Sequence, residues 1–447
     1  MKQLGNNMFR SKVQQGFDFY VVFILSSYLT DYCITKMKDM DTEIVLYQKA
    51  INKVNTYLSI TGLHLKNDEP EQIIKRISRR LFFCLNFLSL LYDVLGEISW
   101  LLKASLCGNL ALIDLTFLGP CLIMCFLGCV KSYYFFKELP QAYKLVHELS
   151  LLCSDEIGLL SDKGKRTKYP RRHMRFLSRA LTSLVTLYSM CIIAFSIAPL
   201  LISISQFYTT GVLKLLLPFF ILYPFDAFNI YIWPFVYVHQ VWSTVIAVFT
   251  VLGPDSLLYT SCVFINDHFH QLKHEIRIIF HQHGTILGMR DNGLKKKIAE
   301  VVEFHMKLLR YLQLIETIYS KSTLCNVLTS SLLICFTGFN VTATGNLIMV
   351  IPFIPFLLMV VGQIYLLCYY GDLIQKSNEE LSEAVYTSAW YTVKAPVAKN
   401  LIIILIRQKP FKFTAYGFMD INMAAFTRII STSWSYFALL QSLQRNN

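Results

Sequence analysis

One run of histidines has the spacing of a metal site. His270 and His274 are four residues apart, so on a helix they would share a face, as in helical zinc sites. No carboxylate or third ligand stands at a matching position. The run, which also includes His268, His281 and His283, therefore predicts solvated histidines at the inner end of an apolar segment rather than a bound metal.

The cysteines and the known catalytic motifs give no sign of an enzyme. Cys121, Cys125 and Cys129 recur every four residues within an apolar stretch, a pattern typical of helix packing. The sequence contains no phosphate-binding glycine loop, nucleophile elbow, kinase motif or HExxH motif. We expect no enzyme activity, no metal and no cofactor.

A few carboxylates lie within apolar segments, where an ionisable side chain is costly and usually has a specific role. These are Asp93, Glu97, Asp114 and Asp255. They are too few for a proton or ion relay. Asp255 follows a Gly-Pro pair, which predicts a helix break near the inner membrane face and a structural role for its carboxylate.

The composition requires a membrane protein. Of 447 residues, 54% are hydrophobic and only 16% are charged, which is too little polar surface for a soluble globular protein. The net charge of +13 does not indicate nucleic acid, because no polar domain could carry a basic groove, and basic residues beside membrane spans determine topology.

Seven segments have the length and character of membrane-spanning helices. The seventh is the most polar. They are residues 81–102, 112–130, 177–201, 237–264, 323–342, 347–370 and 418–443. The connections on one side hold nearly all of the Lys and Arg residues, whereas the other side holds only Lys103, Lys214 and Arg445, which predicts a cytosolic N-terminus and an external C-terminus. The predicted fold is an all-α polytopic membrane protein with seven spans, inverted relative to G-protein-coupled receptors.

Two further segments bear on the cytosolic side. Residues 19–29 are apolar and follow basic residues, as in a signal peptide, but no cleavage site follows, so a cytosolic or interfacial helix is preferred. The inner connections 131–176 and 266–322 contain amphipathic patterns that predict helical extensions of the spans. Such extensions form either a bundle that joins subunits or a self-contained juxtamembrane bundle. The predicted organisation is a cytosolic region 1–79, spans and extensions 80–370, a cytosolic anchor helix 371–416 and a seventh helix with external C-terminus 417–447.

The seventh segment carries many hydroxyl groups, which lipid would not tolerate unless one face lined water or the hydroxyls bonded to neighbouring backbone. Both a pore-lining helix and a polar packing helix fit this pattern. Aromatic and sulphur-containing side chains cluster near the outer ends of several other spans, and a cavity among them would suit a small volatile or lipid-like molecule. The candidate ligand-binding residues are Phe117, Tyr188, Met190, Phe195, His239, Trp242, Met349 and Phe353.

The C-terminal third resembles the insect odorant receptors. The resemblance lies in YYGDLIQKSNEELSEAVYTSAWY (369–391) and KPFKFTAYGFMDINMAAFTRIISTSWSYFALLQ (409–441), with further similarity at YPFDAFN (223–229) and LGPDSLL (252–258). It covers residues 42–443 and leaves the first 40 outside. The short Thr-Tyr and Gln signature of gustatory receptors fits less well.

The resemblance implies an odorant-gated, non-selective cation channel, assembled as a tetramer in the plasma membrane of olfactory neuron dendrites. Odorants would bind in the outer halves of spans two, three, four and six, and the seventh span would line the pore near Ser433, Trp434, Phe437 and Gln441. The loop between spans four and five is shorter than in the family's co-receptor, which implies a ligand-tuning subunit that partners the co-receptor within membrane lipid. The alternatives are a gustatory receptor channel, a seven-span metabotropic receptor and a transporter.

Overall fold

The structure is a computed structural model of the chain. It describes residues 43–65, 73–108, 112–154, 170–285, 291–343, 350–388, 390 and 411–446. The apolar segment 19–29 and the candidate ligand-binding residue Met349 lie outside these ranges, and the side chains of Asp114, His281 and His283 are likewise outside the description.

The described residues fold into long α-helices joined by loops, as the sequence predicts. The helices are α1 Glu43–Thr61, α2 Ile73–Leu106, α3 Leu112–Lys137, α4 Leu139–Ser154, α5 Pro170–Thr210, α6 Trp233–Thr285, α7 Asp291–Ala343, α8 Phe353–Tyr386 and α9 Met423–Asn446.

Six of these helices, α2, α3, α5, α6, α7 and α8, are long and apolar enough to cross a membrane. They correspond to predicted spans one to six. The more polar α9 packs against α7 and α8 and is the seventh transmembrane helix of the fold. The chain is therefore an all-helical polytopic membrane protein, and α6, buried along most of its length, is its central helix.

Several helices extend beyond the membrane. α6 and α7 contain 53 residues each, so each is about 80 Å long, against a hydrocarbon thickness of about 30 Å. The predicted helix break before Asp255 is wrong, because α6 continues through Pro254. α8 likewise runs from Phe353 to Tyr386 without interruption, so the predicted anchor helix after residue 370 begins as a continuation of span six.

The extensions form a bundle with α1 and α4 inside one chain. Ile298, Leu308 and Ile315, from the predicted apolar stripe of α7, are buried there. The hydroxyl of Tyr47 on α1 donates a hydrogen bond of 2.8 Å to the carbonyl oxygen of Val146 on α4. These three residues of the apolar stripe are thus covered within the chain.

Candidate ligand-binding site and polar seventh helix

Four phenylalanine rings from three helices form a cluster in the outer half of the bundle. The ring of Phe353 on α8 lies 5.2 Å from that of Phe117 on α3 and 5.4 Å from that of Phe195 on α5, both edge to face. Phe195 also lies 6.1 Å from Phe356. Edge-to-face pairs are favourable because the positive edge of one ring meets the negative face of the other. The phenylalanine cluster therefore unites three of the predicted ligand-binding residues.

The outer loop between α5 and α6 adds two rings to the phenylalanine cluster. Phe219 stacks at 6.0 Å on Phe195, and Phe220 lies 6.4 Å from Phe117. Sequence reasoning missed both residues, because loop aromatics show no helical periodicity.

Polar contacts fix the outer loop over the bundle. The side-chain oxygen of Gln240 on α6 accepts a 3.0 Å hydrogen bond from the N–H of Phe219, and its amide donates at 3.1 Å to the Phe219 carbonyl oxygen. The N–H of Leu222 donates at 3.2 Å to the carbonyl oxygen of Gly96 on α2. These bonds hold the loop rings against the phenylalanine cluster.

Tyr188 and Gln363 lie inward of the phenylalanine cluster. Tyr188 precedes Phe195 by two helical turns, and Gln363 follows Phe356 by two turns on the antiparallel α8, so both point into the same seam. The buried hydroxyl of Tyr188 lies 3.4 Å from the side-chain oxygen of Gln363. The predicted ligand-binding residue Tyr188 thus forms a polar boundary beneath the aromatic rings.

A buried ionic network continues inward from Gln363. Its amide nitrogen donates at 3.0 Å to Asp255 on α6, whose two carboxylate oxygens each lie 2.7 Å from the ammonium of Lys131 on α3. This is a structural role of the kind predicted for Asp255. Lys131, assigned from the sequence to a cytosolic connection, is instead buried.

Two other predicted ligand-binding residues, His239 and Trp242 on α6, contact α2. The His239 ring nitrogen Nε2 lies 3.1 Å from the hydroxyl of Ser89, and the Trp242 ring N–H donates at 3.2 Å to the side-chain oxygen of Asn86. Met190 is about half exposed on the outside of α5, at 51%. The predicted set therefore divides into a buried aromatic group, a group facing α2 and one surface residue.

The part of α2 near His239 carries two buried acidic residues, Asp93 and Glu97. The buried carboxylate of Asp93 accepts a hydrogen bond from Ser243, and its other oxygen lies 4.0 Å from His239. One turn outward, Glu97 is 1% exposed, and its Oε2 has no hydrogen-bond partner among the described residues. These side chains offer charge and hydrogen bonds, whereas the phenylalanine cluster offers apolar surface.

The seventh helix, α9, has a buried face and an exposed polar face. Ser433 is 1% exposed within this chain, and its hydroxyl donates at 2.7 Å to the carbonyl oxygen of Ile429, one turn earlier on the same helix. Its pore-lining role stays a prediction. Trp434 is 70% exposed and lies 5.3 Å from the partly exposed Phe437. Gln441 is also partly exposed. The exposed serine and threonine positions of α9 are Thr427, Ser431, Thr432, Ser435 and Ser442.

The two C-terminal sequence stretches meet where α8 approaches the turn before α9. A Cβ atom added at Gly371 would collide with the carbonyl oxygen of Ile421, so only glycine permits this approach. Nearby, the N–H of Tyr416 donates at 2.9 Å to the hydroxyl of Ser320 on α7. The ring of Tyr365 on α8 meets that of Phe426 on α9 at 5.6 Å. α8 thus contacts the phenylalanine cluster at its outer end and α9 further inward.

The histidines and cysteines singled out in the sequence have ordinary packing environments where they are described. His268, predicted to be solvated, is instead buried and lies 2.7 Å through Nδ1 from the carbonyl oxygen of Phe264, whereas His274 is exposed. Cys121 and Cys129 are buried free thiols. No group of three His, Cys, Asp or Glu side chains suited to a metal occurs within the described ranges.

Comparisons with known proteins agree with this architecture. The sequence profile of the family described as 7tm Odorant receptor matches residues 116–434. Putative odorant receptor 92a of Drosophila melanogaster is 24% identical over 406 residues, covering 90% of this chain and 97% of that protein. Odorant receptor 85c of the same species is 26% identical over 383 residues, covering 81% and 91%.

The fold is similar to that of the insect olfactory receptor OR5 from Machilis hrabei, solved in complex with eugenol. The TM-score is 0.75 at 17% sequence identity, and the similarity covers 90% of this chain and 100% of that chain. Because the family profile spans well over half of the sequence and the helical architecture agrees with it, the chain belongs to the 7tm odorant receptor family.

Proposed function

We propose that this chain is the ligand-tuning subunit of a heteromeric, odorant-gated, non-selective cation channel in the plasma membrane of olfactory neuron dendrites. The observation that carries the proposal is the course of α8. This one helix contributes Phe353 and Phe356 to the phenylalanine cluster and contacts the polar helix α9 through Tyr365 and Gly371.

The odorant binds among the rings of the phenylalanine cluster. These side chains offer apolar and aromatic surface, and Tyr188 and Gln363 supply hydrogen-bonding groups at the inner boundary. Such a combination suits a small volatile molecule with an apolar or aromatic body and one polar group. The eugenol-bound relative is consistent with a ligand of this class.

Gating follows from a difference in odorant affinity between two states. An odorant that binds the open state more tightly shifts the population toward it. Insertion between Phe195 and Phe353 moves the outer end of α8 relative to α5, and the contact of Tyr365 with Phe426 transmits that displacement to α9.

The pore requires more than one subunit. On the exposed face of α9, the Ser435 hydroxyl donates to the carbonyl oxygen of Ser431 at 3.1 Å. The hydroxyls of Ser431 and Thr432 have no hydrogen bond within the described residues and need water or protein in place of lipid, because unpaired polar groups are costly in hydrocarbon. Four α9 helices around one axis provide such a lining. The partner is the family's co-receptor, in a hetero-tetramer with this chain.

The test is voltage-clamp recording from cells that express this chain, the co-receptor or both, during application of volatile odorants with nucleotide signalling blocked. The proposal predicts an odorant-dependent cation current only when both chains are present. A current from this chain alone would contradict the partner assignment. A current that disappears when nucleotide signalling is blocked would instead support a metabotropic receptor.

A further inference from the structure

A basic cavity of about 290 Å³ lies at the inner end of the first span, away from the phenylalanine cluster. Arg76, Arg79 and Arg80 from the start of α2 line one side, together with His64 from the loop after α1. Tyr143 on α4 also lines the cavity. Among the described residues, the charged side chains that line this cavity are the three arginines, and His64 is titratable.

The apolar wall of the cavity connects it to the membrane. Phe83 and Phe136 stack with their ring centres 4.7 Å apart and line the cavity beside the arginines. On α2, which carries Phe83, the side chains of Ile77 and Leu81 are more than half exposed, as expected for side chains that face lipid. The cavity therefore lies at the boundary between the hydrocarbon core of the bilayer and the headgroup layer. This is the cytosolic side of the membrane according to the distribution of Lys and Arg residues.

The loop that closes the cavity has a fixed backbone. Gly62 has φ of +94°, and a Cβ atom there would lie 2.8 Å from the backbone nitrogen of Phe83, so glycine allows α1 to end directly against α2. The N–H of Leu63 donates at 3.0 Å to the carbonyl oxygen of Leu58, and the N–H of Leu65 donates at 2.8 Å to the side chain of Asn55.

Electrostatic effects on neighbouring groups agree with a positive potential in the cavity. Burial and the charge of Arg79 lower the pKa of His64 below its ordinary value. Burial raises the pKa of the Tyr143 hydroxyl, and the guanidinium groups of Arg79, Arg80 and Arg76 oppose that rise.

We propose that this cavity binds the phosphorylated headgroup of an anionic phospholipid from the cytosolic leaflet, with Arg76 and Arg80 contacting the phosphate oxygens. Guanidinium groups bind phosphate through paired, charge-assisted hydrogen bonds, and basic pockets at the cytosolic side of membrane helices suit such headgroups. The stacked Phe83 and Phe136 lie against the upper part of the acyl chains.

The test measures lipid binding to the purified full chain by native mass spectrometry. The probes are a short-chain phosphatidylinositol bisphosphate, phosphatidylcholine with the same chains, and soluble inositol trisphosphate. We expect the bisphosphate lipid to bind at least about tenfold more tightly than phosphatidylcholine and the R76Q/R80Q variant to lose this preference, since each lost charge-assisted hydrogen bond has an effect of about tenfold. The control K75Q/K144Q removes two exposed charges that do not line the cavity and should bind like the wild type.

Three results would overturn the proposal. Equal lipid binding by the wild type and R76Q/R80Q would exclude the arginine site. Inositol trisphosphate that binds as tightly as the lipid would assign the cavity to a soluble phosphate compound.

The third result concerns residues 66–72, which lie outside the described residues and contain Asp68, Glu69 and Glu71. Lipid preference only after D68N/E69Q/E71Q substitution would show that these carboxylates are the counter-ions of the arginines. The assay requires no odorant and no current, so its outcome is separate from that of the channel proposal.

Discussion

The ammonium of Lys131 lies 2.7 Å from each carboxylate oxygen of Asp255, inside the helix bundle. The pair joins α3 to α6, and the hydrogen bond from Gln363 adds α8. Removing one partner from a buried pair leaves an uncompensated charge, which is far more costly than removing both. The network therefore favours one relative arrangement of the three helices, directly inward of the phenylalanine cluster.

Asp255→Asn and Lys131→Met are each expected to destabilise the protein by about 3–5 kcal/mol, because each leaves a buried charge unpaired. The double variant should be less destabilised than the sum of the two single variants. Thermal unfolding of the detergent-solubilised protein, followed by size-exclusion chromatography, measures this coupling. The exposed pair Lys144 and Glu148, 3.9 Å apart, is the control, and its loss should change stability by less than about 1 kcal/mol. Additive effects at Lys131 and Asp255 would show that the pair does not act as a unit.

The transmembrane helices could be predicted from the sequence, because a long apolar segment bounded by basic residues has few structures other than a helix open to it in a membrane. The helix break at Pro254 was a wrong prediction. Pro254 lacks an N–H and so leaves the carbonyl oxygen of Thr250 without its usual helical donor, but one lost hydrogen bond does not end a helix that is packed on all sides, and α6 continues. Lys131 was missed because a lysine at the end of a span is normally part of the topology signal, and its partner lies 124 residues away in sequence.

The candidate site was only partly predictable for the same reason. Residue type and depth in the membrane selected Phe117, Phe195 and Phe353, but depth does not indicate which helix each side chain faces. For this reason the sequence did not predict that His239 contacts α2. On α9, hydroxyls occur around most of the circumference, so the sequence alone did not separate the buried Ser433 from the exposed face.

Phe195→Leu should weaken odorant activation while leaving assembly intact. The substitution keeps an apolar side chain but removes the aromatic ring that contacts the inserted odorant, and one aromatic contact contributes about 0.5–1.5 kcal/mol. We expect the odorant concentration for half-maximal current to rise about tenfold, measured by voltage clamp at matched surface expression. Met190→Leu, on the exposed side of the same helix, should have no effect. A larger shift at Met190 than at Phe195 would place the odorant outside the phenylalanine cluster.

The exposed polar face of α9 should be accessible to water in the open channel. With the co-receptor present, Ser431→Cys should make the odorant current sensitive to a cationic methanethiosulfonate reagent, reducing it severalfold. Ser433→Cys is the matched control, because that position is buried against the bundle. Wild-type channels give the background effect of the reagent, since the native cysteines Cys84 and Cys107 are exposed. Block at Ser433→Cys with none at Ser431→Cys would mean that the opposite face of α9 lines the pore.

Gly371→Ala should uncouple α9 from α8. The added methyl group collides with the backbone carbonyl of Ile421, which cannot move without displacing the start of α9. We expect a loss of stability of about 1–3 kcal/mol, as for other overpacked sites, and a strongly reduced odorant current. Gly293→Ala on α7 is the control, because a Cβ there meets no atom within 4 Å and alanine is the better helix former. Unfolding temperature and current at matched surface expression separate the two effects. A normal current from Gly371→Ala would show that the close approach of α8 to the turn before α9 plays no part in gating.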